Sequence, residues 1–166
     1  MFKASLHQAR DFLRAQLLEM ADTGVPAEPV MFHSSPGVGK SEVTNSLKKD
    51  EEIVNAFENA FNAKFRVWDW RVGAMQESDI MGIPYPTKMG EDSDGRELKD
   101  MMFSTPQNFP REGECGILFL DELSNAPIPN QHACYRLIHD RTIHNGSKLP
   151  DGVAVVAAGN TKEDKT

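Results

Sequence analysis

The sequence predicts an α/β domain in which a parallel sheet is flanked by helices. Three observations carry that prediction. Apolar runs of strand length alternate with stretches of helical periodicity. Two of the runs, Gly116 to Leu120 and Val153 to Ala158, are continuously apolar, as strands covered on both faces must be. A glycine-bearing loop, Ser34-Ser35-Pro36-Gly37-Val38-Gly39-Lys40-Ser41, separates the first apolar run from a helical stretch. Strands alternating with helices call for right-handed crossovers.

Taken in order, Phe2, Leu6, Ala9, Leu13, Leu17 and Met20 recur at steps of three and four and predict an amphipathic helix. Thr23 to Glu28, with a glycine and a proline, ends it. Pro29 to His33 reads as a short strand, Ser41 to Lys49 as a helix. Ile53, Phe57, Ala60 and Phe61 make Glu51 to Ala63 another helix. Phe65 to Trp70 alternates and is β-rich. Trp68, Trp70 and Phe65 interleave with Arg66 and Arg71, but their strand period favours core packing over base stacking.

Residues 71–115 are the least regular part. Ser78 to Met81 fits one helical turn, Gly90 to Lys99 is polar and turn-like, and Lys99 to Ser104 fits half of a hairpin. A structureless loop that long is expected to be functional or to hide elements. Asn130 to Asp140 places Ala133, Cys134, Leu137 and Ile138 on one helical face. Asn145-Gly146, within Thr142 to Leu149, is the strongest hairpin signal. Residues 1–28 form a helix and lead-in, and residues 29–166 the core.

The formal net charge of −7 argues against a broad nucleic-acid face. No apolar run reaches the ~20 residues of a membrane span, and the N-terminus lacks a signal-peptide pattern. Cys115 and Cys134 make no disulfide framework and read as reduced, near-core thiols, which fits a cytoplasmic protein. The five histidines show no ligand spacing for a metal cage.

The loop carries the chemistry. Residues 34–41 fit a phosphate-binding P-loop, and the strand–loop–helix setting is what makes that motif credible. Gly37 and Gly39 let the backbone curl with its N–H groups inward, and the helix start adds positive potential. The expected phosphate-binding residues are Pro36, Gly37, Val38, Gly39, Lys40, Ser41 and Glu42. Lys40 would reach the β- and γ-phosphates of ATP, with the Ser41 hydroxyl on Mg²⁺. Ser34 stands where the full pattern has glycine.

Ile117-Leu118-Phe119-Leu120-Asp121-Glu122 is an apolar strand ending in two carboxylates. The C-terminal edge of a parallel sheet is where ligands sit, so Asp121 is expected to hold Mg²⁺ and Glu122 to polarise an attacking water. Asn160, at the end of the last strand, either simply ends that strand or bonds both the γ-phosphate and that water. Asn160-Thr161-Lys162-Glu163-Asp164 sets its lysine one place too late for a guanine-reading motif. Asp92-Ser93-Asp94-Gly95 lacks the spacing of a Ca²⁺ loop.

Together, SPGVGKS, LFLDELSNAP and LPDGVAVVAAGN resemble the AAA+ ATPases of the MoxR-like, dynein-related group, above all the versions in phages and prophages. Ser78 to Pro84, Asn125-Ala126-Pro127, Gln131 and Arg141 fit the same group. The resemblance covers residues 28–162. It implies a P-loop NTPase fold, ATP and Mg²⁺ as cofactors, Glu122 as catalytic base and Asn160 as sensor. It also implies a hairpin within 71–115 facing the pore of a hexameric ring that remodels proteins, often with von Willebrand A-type partners. Host cytoplasm is the expected location if the chain is phage-encoded. The family core continues past the sensor strand with a further strand, an arginine finger and a helical lid, which have no counterpart before Thr166. The alternative expectation is a non-hydrolysing ATP-binding regulatory protein, and a third is a small-molecule kinase.

Overall fold

The computed structural model describes residues 5–35, 37 and 39–160. Its first helix, α1 (Leu6–Thr23), opens on a capping box in which Gln8 N donates to the Ser5 side chain and Ser5 N donates to Gln8. Gly24, at φ 69°, closes it, a left-handed C-cap that glycine adopts without steric cost. Leu13, Leu17 and Met20 form its buried stripe. Phe2, which shares that periodicity, lies outside the described residues.

The chain continues through β1 (Val30–Ser34), α2 (Lys40–Leu47), α3 (Glu51–Phe61), β2 (Phe65–Arg71) and α4 (Glu77–Met81). Next come β3 (Pro84–Glu91), β4 (Glu97–Phe103), β5 (Cys115–Asp121), a 3-10 turn (Leu123–Asn125), α5 (Ile128–Asp140) and β6 (Val153–Asn160). Four strands form one sheet in the order β1-β6-β5-β2, with every neighbouring pair parallel. The protein is therefore α/β, with helices on both faces of a parallel sheet.

Alternation along the strands builds the two faces. Ile117 and Phe119 of β5 join Leu13, Leu17, Leu47, Ile53 and Phe57 from α1, α2 and α3. Leu118 and Leu120 join Ile80 of α4 and Cys134 and Leu137 of α5 on the other side. β2 divides likewise: Phe65 packs with the first cluster, Trp68 and Trp70 with the second. Both thiols are buried, and burial pushes the Cys134 thiol up to about 12.

α1 is tied to the α2–α3 junction by charge. Asp50 caps α3 by accepting from Ile53 N, and Arg10 and Arg14 both pair with its carboxylate, while Arg14 also reaches Glu52. Burial alone would raise the Asp50 carboxyl, but the bonds from Arg14 and Ile53 N outweigh it and hold it below its ordinary 3.8. A depressed carboxyl stabilises the fold above its unfolded value, and that contribution disappears as pH falls through the folded value. Asp50→Ala is expected to cost about 1–3 kcal/mol near neutral pH. In urea unfolding, the gap between wild type and variant should narrow below about pH 4; a gap constant from pH 7 to pH 2.5 would refute the assignment.

The region 71–115 is more regular than its sequence suggests. β3 and β4 pair antiparallel as a separate two-stranded sheet, with an irregularity between Lys88 and Gly90. Half of Gly90 to Lys99, expected as a turn, is strand, and the turn shrinks to residues 92–96. The hairpin is exposed on both faces, so no apolar alternation advertised it. Its ladder and the pairs Lys88–Glu91, Lys88–Glu97 and Lys99–Glu97 accompany the pairing. The Asp92 carboxylate accepts from Asp94 N and Arg96 N, which closes a turn.

The Asn145-Gly146 hairpin is reduced to one bridge, Thr142 with Lys148. The Asn145 amide donates instead to Phe103 O and Thr105 Oγ1, so the turn anchors the foot of β4. No helix among the described residues is long and apolar enough to cross a membrane.

Candidate functional site

In a parallel sheet the strand ends share one edge. Here the register brings Ser34 beside Asn160 and Arg71 beside Asp121. The loop after β1 and the N-terminus of α2 lie at that edge. Gly37 and Gly39 have φ of 78° and 92°, left-handed conformations that favour glycine. Gly39 is the N-cap of α2, and glycine has no side chain with which to cap it. A bare N-terminus leaves backbone N–H groups for an anion and carries the positive end of the helix dipole. Pro36 and Val38 lie outside the described residues.

Lys40 bends back across the loop. Its Nζ donates to Ser34 O at 2.9 Å, Ser34 Oγ at 3.2 Å, Ser35 O at 3.4 Å and Asn160 Oδ1 at 2.9 Å. Every one of these partners is uncharged. Ser34, the departure from the P-loop pattern, supplies two of those contacts. Asn160 is itself held: its N donates to Ser124 Oγ at 2.8 Å, and that hydroxyl donates to Asn160 O at 3.2 Å.

Ser41 and Asp121 meet directly, with Ser41 Oγ donating to Asp121 Oδ2 at 2.8 Å. The other carboxylate oxygen, Oδ1, accepts from Glu122 N at 2.9 Å. A hydroxyl and a carboxylate side by side are hard oxygen donors of the kind Mg²⁺ prefers. Glu122 is exposed and left-handed, at φ 58°. A non-glycine residue there costs on the order of 1–3 kcal/mol and persists only when its surroundings hold it. Glu42 lies on the first turn of α2, its N donating to Gly39 O and its carboxylate beside the Gly39 backbone. Its side chain has the wrong sign for phosphate, so any contact it makes would run through its backbone.

Two residues at this edge escaped the sequence reading. Asp69, near the end of β2, is exposed at its surface, yet partial desolvation and then the negative charge of Asp121 raise its carboxyl, with Arg71 opposing and solvent screening keeping the effect small. A raised carboxyl costs stability above its unfolded value, and the cost vanishes as pH falls. Asp69→Asn is therefore expected to raise the melting temperature of the nucleotide-free chain at pH 7, with the gain fading by about pH 3.5. A lower melting temperature at pH 7 would contradict that. The signal was a lone carboxylate in a strand otherwise rich in aromatics. The second residue, Asn130, is buried on α5 and donates through Nδ2 to Val72 O and Met75 O.

No family model matches the chain, and no curated protein matches it. Among solved structures it is similar to NtrX from Brucella abortus, at 18% identity and a TM-score of 0.46 over 98% of this chain and 31% of that one. The chain thus spans about a third of the length of that protein.

Proposed function

We propose that the chain binds ATP with Mg²⁺ at the loop between β1 and α2 and hydrolyses it, as the motor module of a ring-forming remodelling ATPase. The observation that supports this reading is a convergence: Lys40, Ser41, Asp121, Glu122 and Asn160 lie at one sheet edge around a bare helix N-terminus. Lys40 neutralises phosphate oxygens. Ser41 and Asp121 would hold a Mg²⁺ ion, which when bound would neutralise charge on the phosphates being separated. Glu122 takes a proton from the attacking water. Asn160 orients that water, and its present bond to Lys40 gives way to phosphate. The MoxR-like AAA+ resemblance is what supplies the ring and the protein substrate.

A calorimetric titration with ATP, with and without Mg²⁺, tests the binding half. Affinity is expected to require Mg²⁺ and to fall by about 10–150-fold in Lys40→Ala, since a hydrogen bond to a charged group contributes about 1.5–3 kcal/mol. Equal ATP affinity in wild type and variant would sink the proposal.

A further inference from the structure

The carboxylate assigned as base has its seat against the 72–75 turn, which is separate in sequence from the loop after β1. The Glu122 side chain lies against Gly73, in the turn between β2 and α4. A Cβ placed on Gly73 would stand 2.8 Å from Glu122 Oε2 and 3.4 Å from Glu122 Cβ. Gly73 lies outside the left-handed region, unlike Gly37 or Gly39. Its lack of a side chain therefore provides space for Glu122 and is not demanded by the backbone.

The turn that carries Gly73 is fastened at both ends. Val72 N donates to Asp121 O at 3.0 Å, and Ala74 N to Arg71 O at 2.9 Å. Asn130 then bridges the turn, its Nδ2 donating to Val72 O at 3.1 Å and to Met75 O at 2.8 Å. Asn130 is 2% exposed and shares its helix face with Cys134 and Leu137. Packing alone would be served there by an apolar residue, because a buried amide costs free energy unless its bonds are made. Both hydrogens of this amide are spent on the two carbonyls that flank Gly73 and Ala74.

We propose that Asn130 is a positioning residue for Glu122. It holds the 72–75 turn in the shape that gives the Glu122 carboxylate its resting place on Gly73. This rests on the reading of Glu122 as the base, and it adds a mechanical link from α5 to the reacting edge. α5 is joined to the same place a second way, through the 3-10 turn, where Asn125 N donates to Glu122 O at 3.0 Å. A shift of α5 would therefore reach Glu122 from both sides.

The test combines geometry and kinetics in Asn130→Val and Gly73→Ala. Proton NMR on glutamate-labelled protein should show a nuclear Overhauser contact between Glu122 side-chain methylenes and the Gly73 α-protons, assigned by its loss in Glu122→Gln. The contact should vanish in Asn130→Val. In both variants kcat should fall by about tenfold or more, since a misplacement of about 1 Å can cost 10²-fold. Affinity for ATP with Mg²⁺ should stay within about twofold, because the phosphate-binding loop is untouched. Gly73→Ala needs no new buried partner and serves if Asn130→Val does not fold. Absence of the contact in wild type, its survival in folded Asn130→Val, or an unchanged kcat in an active, folded Gly73→Ala would overturn the proposal. If wild type turns over no ATP while the contact behaves as expected, the hydrolase reading fails and the seat stands.

Discussion

Glu122→Gln is expected to lower ATP turnover by about 10²–10⁴-fold, the range that a positioned general base contributes, with affinity for ATP and Mg²⁺ retained. Glutamine keeps the size of the side chain, so the seat on Gly73 and the left-handed backbone at φ 58° are undisturbed. It removes the one property a base needs, a carboxylate that can take a proton. The proposed metal side of the site is separate, because Asp121 keeps its bond from Ser41 Oγ and its bond from Glu122 N, a backbone donor that glutamine also has. The variant should therefore load nucleotide and hold it. Phosphate release measured beside a calorimetric titration separates the two effects. A variant as active as wild type would remove Glu122 from the mechanism, and a variant that no longer binds would mean that its side chain helps hold nucleotide.

A large effect on stability is expected at Gly116, the second residue of β5. Its φ is 140°, and a Cβ built on it would stand 1.8 Å from Arg66 O and 2.8 Å from Arg66 C and N. Those atoms are backbone of the neighbouring strand β2 and cannot swing aside as a side chain could. Gly116→Ala must open the β2–β5 ladder or distort it. Strain of about 1–3 kcal/mol adds to overpacking of about 1–3 kcal/mol, out of a total stability of about 5–15 kcal/mol. Urea unfolding should show a loss of about 2–6 kcal/mol or no folded protein. Gly146→Ala is the control: its φ is 83°, but nothing lies within 4 Å of the added carbon. It should cost about 1 kcal/mol, from backbone strain alone. Equal losses in the two variants would show that close approach at Gly116 is not the cause.

Much of this arrangement was legible before any coordinates. The apolar runs that become β5 and β6 are buried on both faces, so every residue in them had to be apolar or small. Ile53 and Phe57 of α3 recur at helical spacing because one face of that helix meets the sheet. The residues of the candidate site were legible because each stands where a strand ends and a loop or helix begins. What escaped was whatever solvent or a distant partner decides. The β3–β4 hairpin has no dry face, so its residues carry no period, and the polar stretch around Asp92 passed for a long turn. Asn145-Gly146 carried a hairpin signal, but the Asn145 amide found Phe103 O and Thr105 Oγ1, contacts no local rule foresees. Asn130 is a polar residue on an otherwise apolar helix face and Asp69 an acid in a strand rich in aromatics, signals whose meaning depends on what faces them.

The sequence by itself determined the alternation of strands and helices, the positive-φ glycines of the loop and the chemistry available at each strand end. Periodicity and side-chain type are local properties, and they act before distant segments meet. Only the tertiary structure decided that β6 lies between β1 and β5. That order sets Asn160 against Lys40 and brings Ser41 to Asp121. It also decided where Glu122 rests, because the space on Gly73 and the amide of Asn130 come from separate elements that only packing brings together.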